Sequence, residues 1–169
     1  MTYVTIGGVT VGFCILTYTL LKWWPGAKTL RKDLIRQLAR LLPFLLGWCY
    51  GVLAVLSIGG LIGWAADSWL WINSWLGDVA LVWGVGGKGG THAAGVAYLP
   101  LTQPGAGITL ILSAAMAAAL KATNHRGDLL MGTWCGITLG TSAGIAGLAA
   151  VPLAQAVNWA GDTLYGAIA

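Results

Sequence analysis

Leu41-Leu-Pro43-Phe-Leu-Leu-Gly47-Trp-Cys-Tyr-Gly51-Val-Leu-Ala-Val-Leu-Ser-Ile-Gly59-Gly-Leu-Ile-Gly63-Trp-Ala-Ala66 runs 26 residues without a charged side chain. About 20 predominantly apolar residues in a helix suffice to cross the hydrocarbon core of a bilayer, so this tract sets the class of fold. Working outward from it, Met1–Leu21, Gly105–Leu120 and Leu129–Leu153 are also free of charge. Pro100 and Pro104 fix the start of the third tract, because a regular helix does not run through them. The expected spans are residues 3–22, 41–66, 104–121 and 129–153. The first tract has no basic leader ahead of it, and Lys22 and Lys28 follow it, so it is expected to remain as an anchor.

The whole composition agrees. Nine Lys or Arg and five Asp are the only charged residues among 169, or 8%, against roughly a quarter in a soluble domain. With 57% hydrophobic residues and a mean hydropathy of +0.78, a soluble monomer would expose large apolar patches. The sequence therefore predicts an all-α, polytopic integral membrane protein: a single domain, 1–169, with four transmembrane helices as two hairpins.

Charge placement orients the chain. Lys22, Lys28, Arg31, Lys32, Arg36 and Arg40 fall in the 22–40 loop, Lys121 and Arg126 in the 121–128 loop, and Lys88 alone lies elsewhere. The positive-inside rule makes both loops cytoplasmic and places the two termini and the Trp- and Gly-rich segment 67–103 outside, an N-out/C-out topology. Lys28, Arg31, Lys32, Arg36, Arg40, Lys121 and Arg126 are expected to meet anionic phospholipid headgroups. The net charge of +4 is thus explained by insertion, and no nucleic-acid site is expected. Leu30, Leu34, Leu38 and Leu41 recur at helical spacing and read as a helix entering the second span from the membrane surface.

Indole rings favour the headgroup level, so Trp23, Trp24, Trp69, Trp71, Trp75 and Trp83 are expected at the interface. Residues 68–83 are apolar but interrupted by Asn73, Gly77 and Asp78. They are expected to form an interfacial or re-entrant helix, since a crossing would place an aspartate near mid-membrane. Gly84–Gly95 holds six Gly in 12 residues and reads as a flexible outer loop. Its Gly84-Val-Gly-Gly-Lys88-Gly order lacks the Gly-Lys-Ser/Thr of a phosphate loop, which excludes nucleotide binding.

Gly132, Gly136, Gly140 and Gly144 recur every four residues and form a backbone groove suited to close helix crossing. Ser113, Ala114, Ala117 and Ala118 offer a small surface, and the pairs Gly8 and Gly12, Gly47 and Gly51, Gly59 and Gly63 offer further packing sites. Small residues serve equally for packing within one subunit or between subunits. Gly140-Thr-Ser142-Ala-Gly144 matches a nucleophile-elbow pattern, but the elbow needs a strand-to-helix turn and this serine lies inside an apolar tract. His92 and His125 are isolated, so no metal site is expected, and Cys14, Cys49 and Cys135 read as small packing residues. No cofactor is expected. The polar groups within the spans are hydroxyls: Thr5, Thr10, Thr17 and Thr19, then Thr133, Thr138, Thr141 and Ser142. Their bland role is bonding back to the helix carbonyls; the sharper one is a weakly polar pore lining in an oligomer. No ionisable group lies within a span, which argues against ion-coupled transport and membrane-embedded acid–base catalysis.

In architecture, each hairpin resembles the pilin subunits of conjugative type IV secretion systems. Those have two apolar, Gly- and Ala-rich helices, outward termini and a short basic inner turn, seen here as Lys121 to Asp128 and, expanded, as Lys22 to Arg40. The resemblance implies a subunit of a transfer or secretion conduit in the bacterial plasma membrane, with other membrane or secretion proteins as partners. Phage holins look similar in size and hydrophobicity, although this chain ends in Tyr165-Gly-Ala-Ile-Ala169 without their charged tail. The expected function is a non-enzymatic structural or pore-forming subunit, a homo-oligomer that self-associates through small-residue helix faces. The alternatives are a holin-like pore former and a small passive transporter or accessory protein.

Overall fold

The computed structural model describes residues 4–27, 34–92, 101–142 and 149–168. At its centre stands a helix with apolar residues all round, the pattern of an element that meets neighbours on every side. This is α5, Arg126–Gly140, with Leu129, Gly132 and Cys135 to Gly140 buried. The other helices are α1 (Ile6–Ala27), α2 (Leu34–Leu56), α3 (Leu61–Val85), α4 (Gln103–Ala122) and α6 (Ala150–Ile168), making six among the described residues.

Helix α2 lies against α5 more closely than side chains normally permit. A Cβ at Gly132 would fall on the carbonyl oxygen of Phe44, one at Gly136 on that of Trp48, and one at Gly140 would crowd Val52. The contact is reciprocal, because a Cβ at Gly47 would fall on the Leu129 carbonyl and one at Gly51 on the Thr133 carbonyl. Both sets advance together in the same direction, so the two helices run parallel. Three glycines of the four-residue ladder are thus used inside one chain, as are Gly47 and Gly51; Gly144 lies outside the described residues.

Helix α1 covers another side of α5 and runs antiparallel to it. Gly12 meets Thr138 and Leu139, while ten residues further on Lys22 meets Asp128. Gly8 faces Ser74 and Asn73 of α3. Val4, Ala54, Val55, Ala66, Leu70 and Ile137 form a shared core of α2, α3, α5 and the residues leading into α1. Helices α4 and α6 pack together at Gly105 and Gly161, and Ala150 and Ala154 carry α6 onto Val52 and Leu56 of α2. Tyr50 of α2 donates its hydroxyl to Ser113 Oγ of α4 at 3.0 Å.

Among the described residues, three helices contain segments long and apolar enough to cross a membrane: Ile6–Trp24, Leu38–Leu56 and Gln103–Ala122. Three expectations are corrected. The tract 41–66 is not one helix: α2 stops at Leu56, Gly59 takes φ of 79°, and Gly63, in the first turn of α3, lies so close to Ser57 that a Cβ would meet its carbonyl oxygen. Gly59 therefore serves a turn and packs against nothing within 4 Å. Second, residues 68–83 are not bounded as an element of their own, because they sit uninterrupted inside the 25-residue α3, about 37 Å long at 1.5 Å per residue. Third, the tract 129–153 is interrupted after Gly140, where Thr141 and Ser142 turn their hydroxyls onto the carbonyls of Thr138 and Leu139 (3.2 and 2.8 Å). A second helix, α6, starts at Ala150 and continues to Ile168. The 67–103 segment is likewise divided, since residues up to Val85 belong to α3, which is closed by Gly86 at φ 72°. The glycine-rich stretch then folds back so that Thr91 O accepts from Ile6 N at 2.9 Å.

Replacing Gly136 with Ala is expected to lower stability by about 1–3 kcal/mol, because the added methyl meets backbone that cannot move aside. Gly84→Ala, at a helical position with open space around it, leaves stability unchanged or raises it. Reversible unfolding in mixed micelles, followed by circular dichroism, checks both.

Candidate functional site

The helix directions bring one end of α1, α2, α4 and α5 together, and with them the charged residues of the two basic loops. Thr19, Lys22 and Trp23 of α1, Arg40, Leu41 and Phe44 of α2, and His125 and Asp128 at the start of α5 line a cleft of about 200 Å³. Lys22 Nζ donates to Asp128 Oδ1 at 2.8 Å, and Asp128 Oδ2 lies 3.7 Å from His125 Nδ1. The Lys22 side chain is 57% exposed and Asp128 24%, so this ion pair is worth at most about 1 kcal/mol to the fold. Arg40 has no hydrogen bond or ion pair among the described residues. Outside the cleft, Arg126 Nη2 donates to the Lys121 carbonyl at 3.0 Å, which clips together the turn between α4 and α5.

Of the seven expected headgroup cations, the structure therefore gathers Arg40, Lys121 and Arg126 at one end. Lys28, Arg31, Lys32 and the side chain of Arg36 lie outside the described residues. Lys22, His125 and Asp128 complete the cleft and were not legible as a group, since 103 residues separate Lys22 from His125. Lys88 stands apart, on the loop that pairs Thr91 and His92 with Ile6 and Thr5.

The Trp residues expected at the interface divide into two kinds. Trp24, Trp71, Trp75 and Trp83 are exposed, whereas Trp23 lines the cleft. Trp69 packs edge-to-face on Trp134, with ring centroids 5.1 Å apart. Trp134 belongs to a buried polar junction that joins three helices. Its Nε1 donates to Asn73 Oδ1 at 2.9 Å, and Asn73 Nδ2 donates to the Gly8 carbonyl at 3.0 Å. Thr5 Oγ1 donates to the Ser74 carbonyl at 3.4 Å and accepts from Gly8 N at 3.1 Å. Asn73 is 1% exposed, and both ends of its amide are satisfied, as a buried amide requires. The signal for this junction was an amide in one apolar tract and an indole in another, each needing a partner.

The remaining hydroxyls mostly turn inward on their own helices. Thr10, Thr19, Thr133 and Thr138 each donate to the carbonyl four residues earlier, and Ser142 to that of Leu139. Between α2, α3 and α5 runs a larger apolar groove of about 710 Å³, bounded by Tyr50, Leu61, Trp69, Leu130, Met131 and Trp134.

Comparisons with protein-family models, with curated proteins and with solved structures find no match.

Trp134→Phe removes the indole donor and leaves Asn73 Oδ1 unpaired. In a double-mutant cycle with Asn73→Leu, unfolding in micelles is expected to show a coupling of about 0.6–1.7 kcal/mol, the range of interhelical hydrogen bonds in lipid. A coupling indistinguishable from zero would show that the bond carries no stability.

Proposed function

We propose that the chain is a polytopic integral membrane protein, non-enzymatic, that serves as a subunit of an assembly in a bacterial plasma membrane, with its basic end on the cytoplasmic side. The observation that carries this reading is the separation of charge along the bundle. Lys22, Arg40, Lys121 and Arg126 gather where α1 and α4 end and α2 and α5 begin, while the loop bearing Lys88 returns to the start of α1. Such one-sided placement of Lys and Arg is what sets orientation at insertion. The four-span, N-out/C-out arrangement then has α1, α2, α4 and the 15-residue α5 crossing.

Exposed apolar surface supports the bilayer as solvent. Leu21, Leu42, Leu46, Trp64, Trp71, Trp83, Leu110 and Ile111 are all exposed, an arrangement that water would penalise and acyl chains would not. Because Gly132, Gly136, Gly140, Gly47 and Gly51 are already packed within the chain, subunit contacts in the assembly fall on faces other than this part of the glycine ladder. A conduit for transfer or secretion is the assembly this reading favours.

Single cysteines at Lys88 and Arg126 test the orientation in intact cells, with the native protein as the labelling blank. A membrane-impermeant maleimide is expected to reach Lys88→Cys from outside and Arg126→Cys only after lysis. Labelling of both from the same side would sink the topology, and a single-copy mass in native-lipid nanodiscs would sink the assembly.

A further inference from the structure

The cleft at the basic end holds more positive charge than its carboxylate balances. Lys22 and Arg40 are permanent cations, His125 adds an imidazole, and Asp128 is the only acid among the residues lining it. Asp128 is engaged by Lys22 at 2.8 Å and faces His125 at 3.7 Å. Arg40 is left with a planar fork of donors and no acceptor among the described residues. A guanidinium in that state matches the geometry of a phosphate, which it can hold through two parallel N–H···O bonds.

The rest of the lining narrows the ligand. Leu41 and the buried Phe44 form an apolar wall, and Trp23 contributes a ring of the kind that settles at the level of glycerol and headgroup. The occupant must therefore carry its anion at one end and continue into apolar surroundings at the other. About 200 Å³ admits a phosphate with its immediate substituents and excludes a folded macromolecule. Two permanent cations against one carboxylate leave a single positive charge, which matches the monoanion of a phosphodiester. Basic pockets between transmembrane helices are a recurrent seat for acidic headgroups.

The geometry points to a discrete site for one phosphodiester headgroup of an anionic phospholipid of the phosphatidylglycerol class, held by the Arg40 fork, with Lys22 bridging Asp128 and the lipid phosphate. This assignment rests on the reading that the basic end faces an anionic leaflet. It adds stoichiometry and a named binding residue to what would otherwise be diffuse attraction.

The test uses the full chain in neutral detergent micelles, titrated with dioleoylphosphatidylglycerol or dioleoylphosphatidylcholine and followed by native mass spectrometry. One phosphatidylglycerol per chain is expected to be retained, about tenfold more tightly than phosphatidylcholine. Arg40→Ala is expected to remove about tenfold in affinity, the scale of a charge-assisted hydrogen bond. Arg126→Ala, which deletes the same charge at the same end but outside the cleft, should lose no more than about threefold. Equal losses for the two variants, or equal retention of the two lipids, would overturn the site and leave only leaflet-wide attraction. Displacement of the lipid by millimolar inorganic phosphate would reassign the cleft to free phosphate and also overturn the lipid assignment. Melting curves without added anionic lipid establish that Arg40→Ala is folded; if it is not, Arg40→Gln is measured instead. A protein that remains in solution without membrane or detergent refutes the membrane reading itself. A membrane-integrated protein that ignores phosphatidylglycerol refutes only the site.

Discussion

Backbone against backbone is the contact on which the rest of this bundle depends. Along α2 and α5, five glycines place peptide groups where side chains would otherwise stand, each meeting a carbonyl oxygen or, at Gly140, the Val52 residue. Where both helices lie in lipid, apolar burial gives no net drive to associate, because acyl chains are as apolar as leucine. Close packing and weak Cα–H···O contacts must then supply the attraction, and both fall away quickly with distance. The glycines make that distance short. Once α2 and α5 are joined in parallel, α5 has two further sides, which α1 takes through Gly12 and α3 takes through Asn73 and Trp69.

The glycine ladder was legible in the sequence as a packing device, but its partner was not. Four-residue spacing reports that a helix can be approached closely; it carries no information on whether the approaching helix belongs to the same chain. Gly47 and Gly51 held the missing half of the signal, since their own spacing matches the ladder and they sit in the other charge-free tract. Counting charges misplaced the helix ends for a related reason. A turn at Ser57 to Gly60 and a stop after Gly140 need no charged residue, so an uncharged run overstates the length of the helix inside it. The reverse error applied to α3. Asn73, Gly77 and Asp78 looked like interruptions, whereas Asn73 faces a partner that neutralises its cost and Gly77 faces Gly7, where a side chain would collide with backbone.

Hydroxyls among the described residues mostly bond locally. Thr10, Thr19, Thr133 and Thr138 each reach a carbonyl a turn earlier on their own helix, which satisfies the donor without committing it to any tertiary contact. Thr5, Asn73 and Trp134 depart from that pattern, as does Tyr50 with Ser113, since they bond between helices. A local bond tolerates sliding of one helix along another, but an amide held from both sides does not. The junction therefore fixes the register of α1, α3 and α5.

The parallel course of α2 and α5 also decides where the charges go. Two hairpins with both turns on one side must have their second helices pointing the same way, so a parallel α2–α5 contact and a common side for the two basic loops are the same geometric condition. The condition is met twice by unrelated chemistry. Glycines and carbonyls that carry no net charge set the direction of the helices, while Lys and Arg placement, which takes no part in that contact, calls for the same direction on electrostatic grounds. Antiparallel packing of the same glycines would have carried His125 and Asp128 to the far end from Arg40 and opened the cleft. Instead α1, running against α5, returns Lys22 to within 2.8 Å of Asp128. An exposed ion pair of that kind is too weak to have organised the bundle. It forms because the neutral packing has already brought its two ends together.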